Sequence, residues 1–251
     1  MTIPAYQHEV IVRDYETDLN SRWKPSSFFR LIQYSGSSHA NLAGYDFYDL
    51  MATGRAWVLY RIRMRMLRYP AIKDRLIMHT WINGYQQKLL YLRGFKVEDE
   101  RGNLVADAIS ASLLIDLKNR QILKPSSIPE HKVFDIPDPT PHEPLEKIDA
   151  PQDMPECYQI KATYSQLDMV GHVNNANYVD WVCDCFEPDF HRKHQMESIQ
   201  INFLQEIRPD EQISMRMAPE AGKTATWLVS GENLSRPMRA FDARVSWVPR
   251  P

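Results

Sequence analysis

LDMVGHVNNANYVDW, residues 167–181, sets an acid (Asp168), a glycine (Gly171), a histidine (His172) and three asparagines directly ahead of a stretch that reads as an amphipathic helix. Asparagine is favoured just before a helix because its side-chain oxygen accepts a backbone N–H of the first turn, so Asn174 marks a helix start. Val179, Val182, Cys183 and Phe186 then recur at helical spacing, and Pro188 is read as the stop. An earlier stretch, DLNSRWKPSSFFRL at 18–31, lies over it with Asp18 on Asp168, Arg22 on His172 and Pro25 on Asn175. Proline is favoured at the first helical position, so Pro25 and Asn174 independently put both helix starts at one column. Phe28, Leu31 and Ile32 form the buried stripe of the first copy.

An internal repeat follows from this register. After the first helix, RAWVLYRIRMRML, RLIMHTWI, KLLYLRGFKVED and VADAISASLLIDL alternate or run apolar, with the turn DERGN (99–103) between the last two. After the second, SIQINFLQEI, EQISMRM, TATWLVSGENL and MRAFDARVSWV do the same. Eight of the 17 prolines fall between Lys124 and Cys157, in a stretch with almost no apolar periodicity, which reads as an extended, partly stiff linker. The expected division is an N-terminal half at 1–124, a linker at 125–157 and a C-terminal half at 158–251. One long helix and about five antiparallel strands have only each other to pack against. The fold class is therefore α+β: a sheet wrapped around a helix, twice.

Composition narrows the function classes. A formal charge of -2, with 43% apolar and 25% charged residues, gives no reason to expect nucleic acid as a partner. The opening MTIPAYQHEVIVRDYE lacks the basic and apolar regions of a secretory signal, and no apolar run reaches membrane-spanning length, so a soluble cytoplasmic protein is expected. Cys157, Cys183 and Cys185 are too few for a disulfide scaffold and lack zinc-site spacing, so they read as reduced structural thiols. HRKH (191–194) reads as a cationic helix end and not a metal pair. Arg61, Arg63 and Arg65 alternate along one strand and share a face; the plain reading is a solvated face, and an acidic carrier protein or a coenzyme A phosphate would also suit it.

The doubled helix-in-sheet plan with a proline-rich linker resembles the tandem, or double, hot-dog fold of the acyl-ACP thioesterases of plants and bacteria. The likeness is carried by RMRMLRYPAIKDRLIMHTWINGYQQKLLYLRGFKVEDERGNLVADAISASLLIDLKNRQILKP (63–125), by LDMVGHVNNANYVDW and by SIQINFLQEIRPDE (198–211). The GHVNN element is shared more widely with single-unit acyl-CoA thioesterases. The resemblance implies hydrolysis of acyl-ACP to free fatty acid, no cofactor, an acyl carrier protein or acyl-CoA as partner, and a homodimer as one assembly to expect. The family's catalytic aspartate falls on Asp168, its histidine on His172 and its glutamate on Glu206. Its asparagine falls on Val170, which can neither donate nor accept a hydrogen bond, and the cysteine that often follows the glutamate is Ile207.

Thioester hydrolysis needs an attacking water or carboxylate, and donors aimed at the carbonyl oxygen that becomes negative. A helix N-terminus offers unpaired N–H groups and about half a positive charge, so the carbonyl oxygen is expected over the amides of Val173 and Asn174, with Asn175 beside them. Gly171 lets the backbone approach the ligand. Either Glu206 or Asp168 activates a water while His172 polarises or orients it, or a carboxylate attacks directly; the residues leave both routes open. Asp18 and Arg22 read as a degenerate twin, so the first half is expected to shape the acyl pocket. Two other readings remain: an acyl-CoA thioesterase of the same fold, and, because of Val170, a non-hydrolytic acyl-binding protein. The plain reading of GHVNNANY is an ordinary helix cap with a satisfied core histidine.

Overall fold

Apolar alternation translates into two sets of antiparallel strands that pair in the same order. The computed structural model describes residues 4–42, 44–124 and 143–251. The chain divides into two compact units: residues 1–17, 21–23 and 30–145, and residues 18–20, 24–29 and 146–251.

In the first unit, β1 (Tyr6–Ile11), β2 (Arg55–Met66), β3 (Arg75–Gln86), β4 (Leu90–Asp99) and β5 (Leu104–Asp116) pair antiparallel in the order β1-β3-β4-β5-β2, with a short β6 (Gln121–Leu123) on β5. The helices are α1 (Pro25–Asn41), which belongs to this unit from Arg30 onward, and α2 (Phe47–Ala52). Along β4 the period of two sends Tyr91, Arg93, Phe95 and Val97 to one face and Leu90 and Leu92 to the other. The first face meets α1, where a Cβ on Gly36 would touch Arg93 Cδ at 3.7 Å and Phe95 at 3.9 Å. The second packs on Ile109, Ala111 and the fully buried Leu145.

In the second unit, β7 (Glu156–Lys161), β8 (His194–Phe203), β9 (Gln212–Pro219), β10 (Thr226–Asn233) and β11 (Met238–Pro249) pair antiparallel in the order β8-β11-β10-β9-β7. Its helices are α3 (Asn175–Asp184) and α4 (Pro188–Lys193). Tyr178 of α3 stands edge-on to Phe203 and Phe241, with ring centroids 5.2 and 4.9 Å away, and seals the helix to β8 and β11.

Both helix starts expected from sequence are found: α1 begins at Pro25, and Asn174 caps α3 by accepting the Ala176 N–H at 2.9 Å. Pro188 does not simply stop a helix. It occupies the first position of α4, where its fixed φ and missing N–H cost nothing. The arginine face of β2 is solvated only toward Arg65, which is exposed. Arg61 is 9% exposed and donates to the Leu145 carbonyl, Arg63 donates to Glu143, and Arg65 pairs with Asp107. The elements α2 and β6 are too short to carry a periodic signal, and of α4 the sequence shows only its cationic end. Residues 125–142 of the expected linker lie outside the described residues. Its remaining part, 143–155, is held down: in the second unit the Glu146 carbonyl accepts from Gln200 and Asn202, those of Ala150 and Pro151 from Arg239, and that of Met154 from Arg216.

Candidate active site

The loop between Leu167 and Val173 is a tight hairpin built around Asp168. Leu167 and Val173 form a β-bridge; the Asp168 N–H donates to the His172 carbonyl at 2.8 Å, and the Gly171 N–H to the Asp168 carbonyl at 3.0 Å. Asp168 Oδ1 also accepts the Val170 N–H at 2.9 Å and the His172 N–H at 3.3 Å. Aspartate suits this place because its short side chain reaches the amides two residues ahead. Gly171 has φ +82°, a left-handed conformation that a glycine adopts without steric cost.

Glu206 is brought to this loop by one backbone bond. The Val173 N–H donates to the Ile207 carbonyl at 2.9 Å, and both side chains are buried, so the residues immediately before them, His172 and Glu206, come close enough to interact electrostatically. Burial acts to raise the Glu206 carboxyl. The Arg208 guanidinium at 2.8 Å, the residue's own N–H and the charges of Arg208 and His172 outweigh it and hold the group below the ordinary glutamate range. Arg236 donates to the Glu206 carbonyl at 2.7 Å while pairing with Glu211, which is 8% exposed and also accepts from Asn233 and the Arg208 N–H. Burial would raise Glu211 too, and the Arg236 pairing leads the bonds that hold it low. This clamp fixes the peptide that carries Glu206.

Asp168, His172 and Glu206 are thus gathered at the mouth of α3, with Gly171 in the hairpin and Asn175 at the first helical position. The expected oxyanion donors are not available as read. The Val173 N–H is taken by Ile207, and the Asn174 N–H by the Gln166 carbonyl at 2.8 Å. The cap residue Asn174 has extended backbone, and its amide and that of Val173 are taken by the end of a 3-10 turn and by the loop after β8 before any ligand arrives. The Asn175 N–H has no acceptor among the described residues, so it is the free donor at the positive end of the helix. Val170 is 54% exposed, and its backbone alone serves Asp168. Arg208, Arg236 and Glu211 were missed; the only sequence trace of them is the density of charge in EIRPDE (206–211).

The twin loop around Asp18 repeats the geometry without the chemistry. Asp18 Oδ1 accepts the Asn20 N–H at 2.8 Å, and Thr17 bridges Trp23, as Leu167 bridges Val173. Its second oxygen, however, is engaged by Arg250 at 2.8 Å and by the Asn20 side chain at 3.3 Å, and Arg22 stands where His172 is. Among the described residues, no group of three or more His, Cys, Asp or Glu side chains is placed to hold a metal ion.

Comparison with known proteins agrees with this architecture. An acyl-ACP thioesterase from Bacteroides thetaiotaomicron superposes with a TM-score of 0.83 at 18% identity, covering 97% of this chain and 98% of that one. The 12:0-ACP thioesterase of Umbellularia californica gives 0.83 at 19%, covering 98% of each. A chloroplastic oleoyl-acyl carrier protein thioesterase of Coriandrum sativum is 24% identical over 247 residues, spanning 91% of this chain and 67% of its own. The fold is the double hot-dog, and the class is that of thioester hydrolases. Within that class the chain belongs to the acyl-ACP thioesterase family: residues 4–131 match its N-terminal domain and residues 150–235 its C-terminal domain.

Proposed function

We propose that this protein hydrolyses fatty acyl thioesters of acyl carrier protein, with one site per chain, formed by Asp168, His172 and Glu206 in the second unit. The supporting observation is the Val173–Ile207 backbone bond, which seats the imidazole beside the ionised carboxylate at a helix start with one free amide. Glu206 takes a proton from a water oriented by His172 while that water's oxygen attacks the thioester carbonyl carbon. The carbonyl oxygen, now negative, lies over the Asn175 N–H and the positive helix end. Collapse of the tetrahedral species breaks the carbon–sulfur bond, and the departing thiolate receives the proton from Glu206. Asp168 acts by holding the hairpin through Oδ1, which accepts two amides.

Val170 fits this assignment. An asparagine there would add a side chain to an exposed hairpin tip, whereas the bond that shapes the hairpin comes from the backbone of residue 170. Family membership supports the carrier protein over coenzyme A. Comparing kcat/KM on ACP and CoA thioesters of one chain length tests the carrier. The expected preference is for ACP by about tenfold or more, and a preference for CoA would overturn that part of the reading.

A further inference from the structure

The first unit contains an arginine that its own residues leave half-answered. Arg93 lies on the face of β4 that meets α1, directly opposite Ile82 of β3 and Ser110 of β5. Its Nη1 donates to His39 Nδ1 at 2.6 Å and lies 3.5 Å from Thr80 Oγ1. Among the described residues its Nε and Nη2 have no acceptor and no acid lies close enough to act on it. The side chain keeps a little accessible edge but is packed round so closely that burial pulls it down to about 10. His39 supplies no negative charge. Its Nε2 meets the Pro4 carbonyl at 3.0 Å, and burial followed by the Arg93 charge pushes it down to about 4, so it is a neutral acceptor.

Two more donors on the same face lack a partner. The Ser110 hydroxyl has none among the described residues, and the Tyr91 hydroxyl, two residues along β4 from Arg93, is buried without one. Buried cations are ordinarily paired, because an uncompensated charge is costly in a low-dielectric interior. Here a fork of free N–H groups and two hydroxyls share one face with Ile82, Ile62, Met64 and Phe95, all of them buried and apolar. The complement of donors without an acceptor on an apolar face is an anion on an aliphatic body.

We propose that Arg93, with Ser110 and Tyr91, is a receptor in the first unit for the carboxylate of an aliphatic acid. Two sources share that chemistry: the ω-carboxylate of a bound acyl chain, and the carboxylate of a free fatty acid. The first rests on the thioesterase reading above; binding of an acid does not.

The test uses the full chain, wild type and Arg93→Gln, with Ser110→Ala as a second variant that keeps the cation in place. Thermal unfolding is followed with dodecanoate, dodecanedioate and dodecanol. Both acids are expected to raise the wild-type midpoint and dodecanol to leave it, and the response to acids is expected to weaken about tenfold or more in Arg93→Gln and less in Ser110→Ala. Hydrolysis of dodecanoyl-ACP and its ω-carboxy analogue then separates the sources. A preference for the ω-carboxy chain that Arg93→Gln abolishes assigns the ω-carboxylate; no such preference, with dodecanoate inhibition relieved in Arg93→Gln, assigns the free acid. Acid binding with no turnover of any thioester would overturn the thioesterase reading and leave the receptor standing. Equal response of wild type and both variants to the acids, or equal stabilisation by dodecanol, would overturn the receptor.

Discussion

At the scale of the residue, position 170 asks whether a site can lose a polar side chain and keep its shape. It can, because the hairpin is held by main-chain groups: the Val170 and His172 amides both reach Asp168 Oδ1. Glu206 shows the converse, a side chain whose chemistry is set by a neighbour that no motif records. Arg208, two residues on, pairs with it at 2.8 Å and helps to hold its carboxyl low, so it is ionised well into the acid range. If Glu206 must be deprotonated to accept the water's proton, the acid limb of kcat/KM lies below the ordinary glutamate range. In Arg208→Met the carboxyl loses the partner that favours its charged form while burial still opposes it, so the limb moves to higher pH. A pH profile of kcat/KM checks the direction; an unmoved limb would mean that another group carries it. Asp168 and His172 are singled out by a motif that ties residue type to chemistry, and Glu206 by the family resemblance alone. The amide donors were not, since which N–H groups stay free depends on pairings of Val173 with Ile207 and Asn174 with Gln166 that no local pattern encodes.

Elements carry the duplication more plainly than residues do. Tyr6 and Glu156 open β1 and β7, Thr17 and Leu167 open the bridges, and Pro25 and Asn175 open α1 and α3, each pair 150 residues apart. This register was legible because two independent capping preferences agreed on it, and the helix-in-sheet plan followed because a sheet and one helix have only each other to cover. What failed were the details that burial decides. The β2 arginines alternate as a solvent face should, yet Arg61 and Arg63 are bonded to Leu145 and Glu143, more than 75 residues further along the chain. One glycine shows how tightly the second sheet fits its helix. A Cβ at Gly231 of β10 would lie 2.2 Å from Phe241 Cε1 and 2.7 Å from its Cδ1, and Phe241 is fully buried against Tyr178 of α3. Gly231→Ala is expected to cost about 1–3 kcal/mol in denaturant unfolding, and Phe241→Leu in the same chain to recover part of it. Additive losses in the double variant would show that the two positions do not share this space.

Across the whole molecule the two units have one topology and unequal chemistry. Among the described residues, the second keeps a carboxylate oxygen free of protein partners, an imidazole and a free helix amide at one loop. The equivalent loop at 17–23 has both carboxylate oxygens engaged, by Asn20 and Arg250, and an arginine in the histidine's column. On the proposed function, turnover depends on the copy whose groups remain unpaired. The direct measurement is kcat/KM for a long-chain acyl-ACP with two matched variants, His172→Ala and Arg22→Ala, each checked for an unchanged circular dichroism spectrum. His172→Ala is expected to fall by about a hundredfold or more, and Arg22→Ala to stay within severalfold of wild type. Full activity in His172→Ala, or a collapse confined to Arg22→Ala, would contradict the account.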